Sequence, residues 1–151
     1  MRRAELGMTL MELMTAVVVA ALIAVVGIPS YKAYVDRAKV AVAIADIGSI
    51  SLMLYRWQIA TRDFPDTLAQ AGLDGRIDPW GQPYYYLRID GGGANTGQVR
   101  RDRNLHPLNT DFDLYSAGPD GQTQTQLQGT KARDDVVRAN NGQFIGTASD
   151  Y

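Results

Sequence analysis

The chain has 151 residues, which is about the length of one domain. Its net charge is −1 at pH 7, with basic residues scattered among acidic ones, so we expect no nucleic-acid partner. It contains no cysteine, which excludes thiol catalysis, cysteine-ligated zinc and disulfide bonds.

An uncharged apolar segment dominates the first part of the chain. Leu13–Tyr31 is 19 residues long and rich in Val, Ala, Ile and Leu, close to the roughly 20 residues that a membrane-spanning helix needs. Taken alone, such a segment could be a secretory signal, a membrane anchor or a buried core helix. A secretory signal carries small residues at a cleavage site after the apolar run, but here the run ends in Gly-Ile-Pro-Ser-Tyr. A short basic stretch, residues 1–7, instead precedes it.

This basic stretch and the residues after it carry a family resemblance. Residues 1–14 read Met-Arg-Arg-Ala-Glu-Leu-Gly-Met-Thr-Leu-Met-Glu-Leu-Met. They resemble the leader and mature N-terminus of type IV pilins and type II secretion pseudopilins. The resemblance implies that a prepilin peptidase cuts after Gly7 and methylates Met8. Residues 1–7 would then be a cleaved leader, 8–30 a transmembrane and assembly helix, and 31–151 an extracytoplasmic region with a globular head.

Glu12 lies near the start of the apolar helix. A carboxylate in a membrane segment is costly unless it is paired, which makes it a functional candidate. Cleavage after Gly7 would create a positive amine one helical turn away, and in a staggered filament this amine can meet Glu12 of a neighbouring subunit. The resemblance implies this assembly role. The alternative is an interfacial Glu12 that reaches water and has no partner.

The charges around the apolar segment predict its orientation. Arg2 and Arg3 precede it, which favours a cytoplasmic N-terminus. We therefore expect a single-pass protein of the bacterial inner membrane, with everything from about Tyr31 onward in the periplasm.

The helix is expected to continue well beyond the membrane segment. Apolar residues recur at helical spacing on one face, which could pack on a sheet: Ala43, Ile47, Ile50, Leu54 and Trp57. A helix ending near Ala60 follows from this pattern. Pro29 removes a backbone donor and predicts a kink or local melting. Pilin-like proteins carry a proline at this distance from the cleavage site, and the resemblance implies that this segment unwinds during extraction and packing.

The remainder predicts a small α+β head. Arg62–Leu73 reads as a short helix, with Pro65 in its first turn and Gly72 at its end. Strands are predicted at Tyr84–Ile89, near Gln98–Asp102, and at Phe112–Ser116, with Gly91–Gly93 as a turn and Phe144–Ile145 as a possible edge strand. The fold class is therefore pilin-like, with a long kinked N-terminal helix packed on a small antiparallel sheet.

Two head segments sharpen the resemblance. Asp78–Tyr84, which reads Asp-Pro-Trp-Gly-Gln-Pro-Tyr, and Asp113–Gly121, which reads Asp-Leu-Tyr-Ser-Ala-Gly-Pro-Asp-Gly, are similar to segments of the major pseudopilins of type II secretion. Arg88–Pro107 and Gln122–Arg133 do not match those pseudopilins.

Acidic residues accumulate around the second of these matching segments: Asp111, Asp113, Asp120, Asp134 and Asp135. Carboxylates and loop carbonyls are the oxygen ligands that calcium prefers. The resemblance implies a calcium ion held by Asp120 and by Asp134 or Asp135, and Ala117 could supply a carbonyl. The alternative is that these carboxylates cap turns and keep the loop soluble.

The sequence is compatible with three classes of function. The first is a structural pseudopilin that polymerises into a periplasmic pseudopilus driving type II protein secretion. Its implied partners are other copies of the chain, minor pseudopilins, the inner-membrane assembly platform and the prepilin peptidase. The second is a subunit of a surface type IV pilus or DNA-uptake filament, which the absence of a C-terminal disulfide disfavours. The third is an enzyme anchored in the membrane. The sequence favours this class least, because the single histidine, His106, has no nearby cysteine or carboxylate dyad in the sequence.

Overall fold

The fold is an α+β arrangement of one long helix and one antiparallel sheet. A computed structural model describes residues 7–91, 94–95, 97–103 and 105–151. The elements in chain order are α1 (Leu10–Thr61), β1 (Tyr85–Arg88), β2 (Phe112–Ser116), β3 (Val136–Ala139) and β4 (Phe144–Thr147). The chain forms two compact units, one ending at Arg37 and the other running from Ala38 to Tyr151.

In the first unit, α1 presents its apolar side chains to the surroundings. Met11, Leu22 and Val25 are all more than 60% exposed. The helix is continuous through Pro29, and the hydroxyl of Ser30 donates to the carbonyl of Val26 at 2.8 Å. The turn around Pro29 is therefore helical in the isolated chain, and its predicted unwinding during filament assembly stays a prediction.

In the second unit, the four strands follow one another in the sheet in the order β1-β2-β3-β4, and every neighbouring pair is antiparallel. Tyr85 pairs with Tyr115 across β1 and β2, and Val137 pairs with Gly146 across β3 and β4. Short strands joined in sequence order place the long β2–β3 loop, residues 117–135, along one end of the sheet.

The helix packs on one face of this sheet. Four of the five residues of the predicted apolar face are fully buried, while Trp57 is half-buried. The buried helical residues and the sheet residues that they join form one core: Ala43, Ile47, Ile50, Leu54, Phe112, Leu114 and Val136. The 3.6-residue repeat of the sequence thus identified the face of α1 that buries apolar area.

The opposite face of the sheet has a smaller core of its own. Neighbouring residues of a strand point to opposite faces, so Val136 faces the helix and Val137 faces away from it. Val137 and Ala139 pack there with Leu108 and Leu127, which come from loops. Both faces of the sheet are therefore covered.

Several sequence predictions for the head are wrong. Arg62–Leu73 forms turns rather than a helix, although Gly72 does end a turn with a positive φ of 68°. Gln98–Asp102 forms no strand, because its backbone contacts are single bridges to loop residues. β3 was missed, whereas β2 and an edge strand at Phe144–Ile145 are confirmed. Gly92 and Gly93, two of the three residues of the predicted glycine turn, lie outside the described residues.

Candidate functional site: the N-terminal helix and the acidic loop

The predicted processing site lies at an accessible end of the described chain. Gly7 and Met8 precede α1, and Met8 is 65% exposed. A built Cβ at Gly7 would meet no atom within 4 Å. Both residues are therefore open to a peptidase, and the cleavage and methylation stay predictions. Residues 1–6, with Arg2 and Arg3, lie outside the described part.

Glu12 closes the first turn of α1. The backbone N–H of Glu12 donates to the Thr9 hydroxyl at 3.2 Å, and the backbone N–H of Thr9 donates to the Glu12 carboxylate at 3.4 Å. This reciprocal pair is a capping box, which satisfies two backbone donors that a helix start leaves unpaired. The sequence analysis missed this contact, although its signal, Thr-x-x-Glu at the start of an apolar run, is present.

The helix that begins there suits a membrane. Within the described chain, α1 is the one helix long and apolar enough to cross a bilayer, and its most apolar stretch is not buried by the rest of the protein. In water such a surface would be unfavourable, because each exposed apolar side chain loses stabilisation. The surface therefore needs lipid or other copies of the helix around it.

The Asp78–Tyr84 segment is a turn held by one buried carboxylate. Asp78 accepts backbone N–H groups from Trp80 at 3.0 Å and Gln82 at 2.8 Å. Its other oxygen accepts the Ser116 hydroxyl at 2.5 Å, which fastens the turn to β2. The hydroxyl of Tyr84 donates to Asp46 on α1 at 2.9 Å. This segment therefore joins the helix to the sheet and has a structural role.

The acidic residues near β2 are divided among separate partners. Asp111 receives two hydrogen bonds from the guanidinium of Arg138, at 2.6 and 2.8 Å, and one from the Tyr55 hydroxyl at 2.8 Å. Burial raises the pKa of Asp111, but these hydrogen bonds and one from the backbone N–H of Phe112 lower it further, so the pKa lies below its usual value. Asp111 thus balances a buried cation.

Asp113 lies on the other face of β2 and is fully buried. It accepts the backbone N–H of Arg100 at 2.7 Å and the side-chain amide of Asn109 at 2.8 Å. Burial raises the pKa of its carboxyl despite these hydrogen bonds. Asp113 therefore fixes the loop between β1 and β2 against the sheet at two points.

Asp135 forms a buried ion pair. Its side chain is 0% exposed, and one of its oxygens accepts Arg100 Nη2 at 2.7 Å and the Thr123 hydroxyl at 2.6 Å. The Arg100 guanidinium lies 3.5 Å from the centre of the Tyr115 ring. The second oxygen of Asp135, and Nε and Nη1 of Arg100, have no hydrogen-bond partner among the described residues. Burial raises the pKa of Asp135 to about 6, against the lowering effect of Arg100 and Thr123.

Asp120 and Asp134 lie near each other at the surface of the same loop. The backbone N–H of Asp120 approaches the Asp134 carboxylate at 3.4 Å, and the Asp120 carboxylate accepts the backbone N–H of Gln122 at 2.7 Å. Gly118 allows the close approach: it has a φ of 65°, and a Cβ there would lie 2.4 Å from the Asp134 carbonyl oxygen. Ala117 is fully buried next to Gly118.

These contacts test the donor set predicted for calcium. The part of the chain that the structure describes contains no group of three or more histidine or carboxylate side chains placed to hold a metal. Asp120 and Asp134 are adjacent, but Asp135 binds Arg100. The pairing of Asp135 with a buried cation makes it a poor calcium ligand. Asp120 and Asp134 could supply at most about four of the six to eight oxygens that calcium takes, so calcium at this loop stays a prediction.

Arg100 and Arg138 are buried arginines whose burial could not be predicted from the sequence. Arg100 is 2% exposed and Arg138 1%. Arginine is mostly found at the surface, and no local pattern marks either residue as buried. Their roles depend on carboxylates that are distant in sequence.

Comparison with known proteins adds to this picture. The chain is 30% identical, over 144 residues, to the type II secretion system core protein G of Pseudomonas aeruginosa, covering 80% of this chain and 88% of that protein. It is also 22% identical over 149 residues to a fimbrial protein of Neisseria meningitidis serogroup A, covering 99% of this chain and 88% of the relative. No family model matches the chain. No solved structure matches it either.

Proposed function

Because this chain belongs to the type IV pilin-like family, among its pseudopilins, and is a filament subunit, we propose that it builds a periplasmic pseudopilus for type II protein secretion. The similarity to core protein G over most of that protein's length is the reason for proposing type II secretion rather than another system. The exposed apolar surface of α1 supports the mode of assembly, since a filament core would cover it.

In this proposal the subunit is first inserted in the inner membrane. The apolar part of α1 spans the bilayer with the head in the periplasm. A prepilin peptidase removes residues 1–7 after Gly7 and methylates Met8. The exposure of both residues at the start of the described chain is compatible with this step.

Glu12 then guides the subunit into the filament. Among the described residues, the Glu12 carboxylate accepts hydrogen bonds only from Thr9, at 3.4 and 3.5 Å, so most of its hydrogen-bonding capacity is left for another group. Moving an unpaired carboxylate into an apolar core costs several kcal/mol, on the order expected for a single buried ion. A neighbour's N-terminal amine would remove most of this cost in only one axial register, and this makes Glu12 a register determinant.

Pro29 makes one turn of α1 easier to unwind when the subunit is extracted from the membrane. It has no N–H, so the carbonyl of Val25, four residues earlier, lacks its helical donor. The turn is helical in the isolated chain, but it is cheaper to unwind than its neighbours. We propose that it unwinds as the subunit leaves the membrane with the help of the assembly platform and minor pseudopilins.

The assembly step is tested by replacing Glu12 and comparing sedimented filaments with membrane-bound subunit. We expect Glu12→Ala and Glu12→Gln to insert into membranes normally and to lose filaments, because neither side chain carries the negative charge that forms an ion pair with the amine. Glu12→Asp should retain part of the assembly.

A matched control separates pairing from capping. Thr9→Val breaks the capping box but keeps the Glu12 carboxylate, so we expect filaments to persist. Normal filaments from Glu12→Ala would refute the pairing. Equal loss in Thr9→Val and Glu12→Ala would assign Glu12 to helix capping instead.

A second candidate is a subunit of a surface type IV pilus. The similarity to a fimbrial protein over nearly the whole chain favours it. Deletion of the gene in its own organism, with complementation, distinguishes the two. Loss of secreted proteins from the medium with normal surface pili supports the pseudopilus, whereas loss of pili with normal secretion supports the pilus.

A further inference from the structure

The two head segments that do not match the major pseudopilins pack on each other. The backbone N–H of Arg101 donates to the Thr125 carbonyl at 2.9 Å, and the backbone N–H of Leu127 donates to the Arg101 carbonyl at 3.0 Å. The side-chain amide of Gln128 adds a bond of 2.6 Å to Asp102. Segments 88–107 and 122–133 therefore meet through backbone and side-chain bonds, although the sequence separates them.

Together they cover the sheet face that points away from α1. Leu127 is 1% exposed and packs with Val137 and Ala139 in the smaller core. Val99, from the other segment, is 4% exposed. The Arg100–Asp135 ion pair beneath this cover is buried as well, with side chains that are 3% and 0% exposed.

Arg100 lies at the centre of this cover and is joined to three separate parts of the head. Its guanidinium binds Asp135, just before β3, and Thr123, in the middle of the β2–β3 loop. It also stacks on Tyr115 of β2, and its backbone N–H binds Asp113 of the same strand. One side chain thereby ties both the middle and the end of the β2–β3 loop to the sheet.

We propose that the Arg100–Asp135 ion pair does in this head the work that the family resemblance assigns to calcium, so that the β2–β3 loop is held without a metal. A cation can balance the charge of a carboxylate that is buried under such a loop, and the Arg100 guanidinium is a covalently attached cation. Because Arg100 neutralises Asp135, the loop also attracts a divalent ion less strongly than its count of carboxylates implies. The inference concerns the head alone and holds for either kind of filament.

The first test uses the full chain in detergent micelles, with near-ultraviolet circular dichroism of the head aromatics as the readout. We expect the same melting temperature in millimolar calcium chloride and in a chelator. Arg100→Gln should lower the melting temperature by at least about 10 °C, since it leaves a buried carboxylate unpaired. Asp120→Asn combined with Asp134→Asn, which removes the remaining acidic donors, is the matched control and should change it little.

A double-variant cycle tests the pair itself. Asp135→Asn removes the charge that Arg100 balances, so the Arg100→Gln and Asp135→Asn changes together should cost clearly less than their separate effects added. Effects that simply add would show that the two residues do not act as a pair.

Trypsin gives an independent readout, because Lys131 and Arg133 are exposed in the loop. Arg100→Gln should speed cleavage at these residues several-fold, and calcium should not slow cleavage of the unchanged protein. A calcium-dependent rise in melting temperature or protection from trypsin that is lost in Asp120→Asn with Asp134→Asn, or in Asp135→Asn, would overturn the proposal. These measurements need no filament, so they fail or succeed independently of the proposed function.

Discussion

Replacement of Arg138 by glutamine tests how much of the head's stability depends on a buried guanidinium. The side chain of Arg138 is 0% exposed, and that of its partner Asp111 is 14% exposed. Besides its two bonds to Asp111, Arg138 donates to the Phe112 carbonyl at 3.0 Å and to the Tyr55 hydroxyl at 2.7 Å. Its guanidinium lies 4.0 Å from the centre of the Phe112 ring. One side chain therefore joins β3, β2 and the helix.

The expected cost follows from this burial. Removing one partner of a buried ion pair leaves an uncompensated charge and costs about 3–5 kcal/mol. Arg88 is a matched control, because it also binds two aspartates, Asp63 and Asp66, but their side chains are 60% and 70% exposed. Exposed pairs of this kind contribute at most about 1 kcal/mol.

The assay is urea unfolding of the full chain in micelles, followed by the fluorescence of Trp57 and Trp80. We expect Arg138→Gln to lower the free energy of unfolding by about 3 kcal/mol or more, and Arg88→Gln by less than about 1 kcal/mol. Similar losses in the two variants would refute the reasoning that burial, rather than the number of ionic contacts, sets the contribution.

Two further predictions concern the β2–β3 loop. Gly118→Ala should destabilise the head by more than about 2 kcal/mol, because its φ is positive and a Cβ there would collide with the Asp134 carbonyl. In the same unfolding assay the control Gly75→Ala, whose Cβ would meet no atom within 4 Å, should change the stability by less than about 1 kcal/mol. The pKa of Asp135 is raised to about 6, so between pH 4 and 6 the folded head still binds a proton that the unfolded chain has released. The free energy of unfolding should therefore fall by up to roughly 3 kcal/mol as the pH rises from 4 to 6. Asp113, whose pKa is also raised, acts with the same sign, so Asp135→Asn should reduce this slope without removing it; an unchanged slope would contradict the assignment to Asp135.

The N-terminal half could be predicted because its signals are local. The apolar run and the Thr-x-x-Glu pattern each depend on residues within a few turns of one helix. The buried face that includes Ile47 and Leu54 was found for the same reason, since a helical repeat places its own members on one side. The comparisons with known proteins then confirmed the family.

The head was harder because its contacts join distant segments. β3 was missed because it contains Arg138, which the sequence alone marks as a surface residue. Gln98–Asp102 contains one strand-forming residue, Val99, and its bridge partners, Gln126 and Leu105, are loop residues, so only isolated bridges form. Strand formation depends on an available partner as well as on propensity.

The acidic loop shows most clearly the difference between local sequence signals and contacts that join distant segments. The sequence by itself determined that the chain has an apolar helix with a proline within it, preceded by residues that resemble a processing motif, and a carboxylate-rich loop in the head. Only the tertiary structure decided which carboxylates are paired with a buried arginine: it joined Asp135 to Arg100 and Asp111 to Arg138, 35 and 27 residues apart, and left Asp120 beside Asp134. The physical reason is that the free energy of a buried charge depends on the distance to its counter-charge in space, which the order of residues along the chain does not specify.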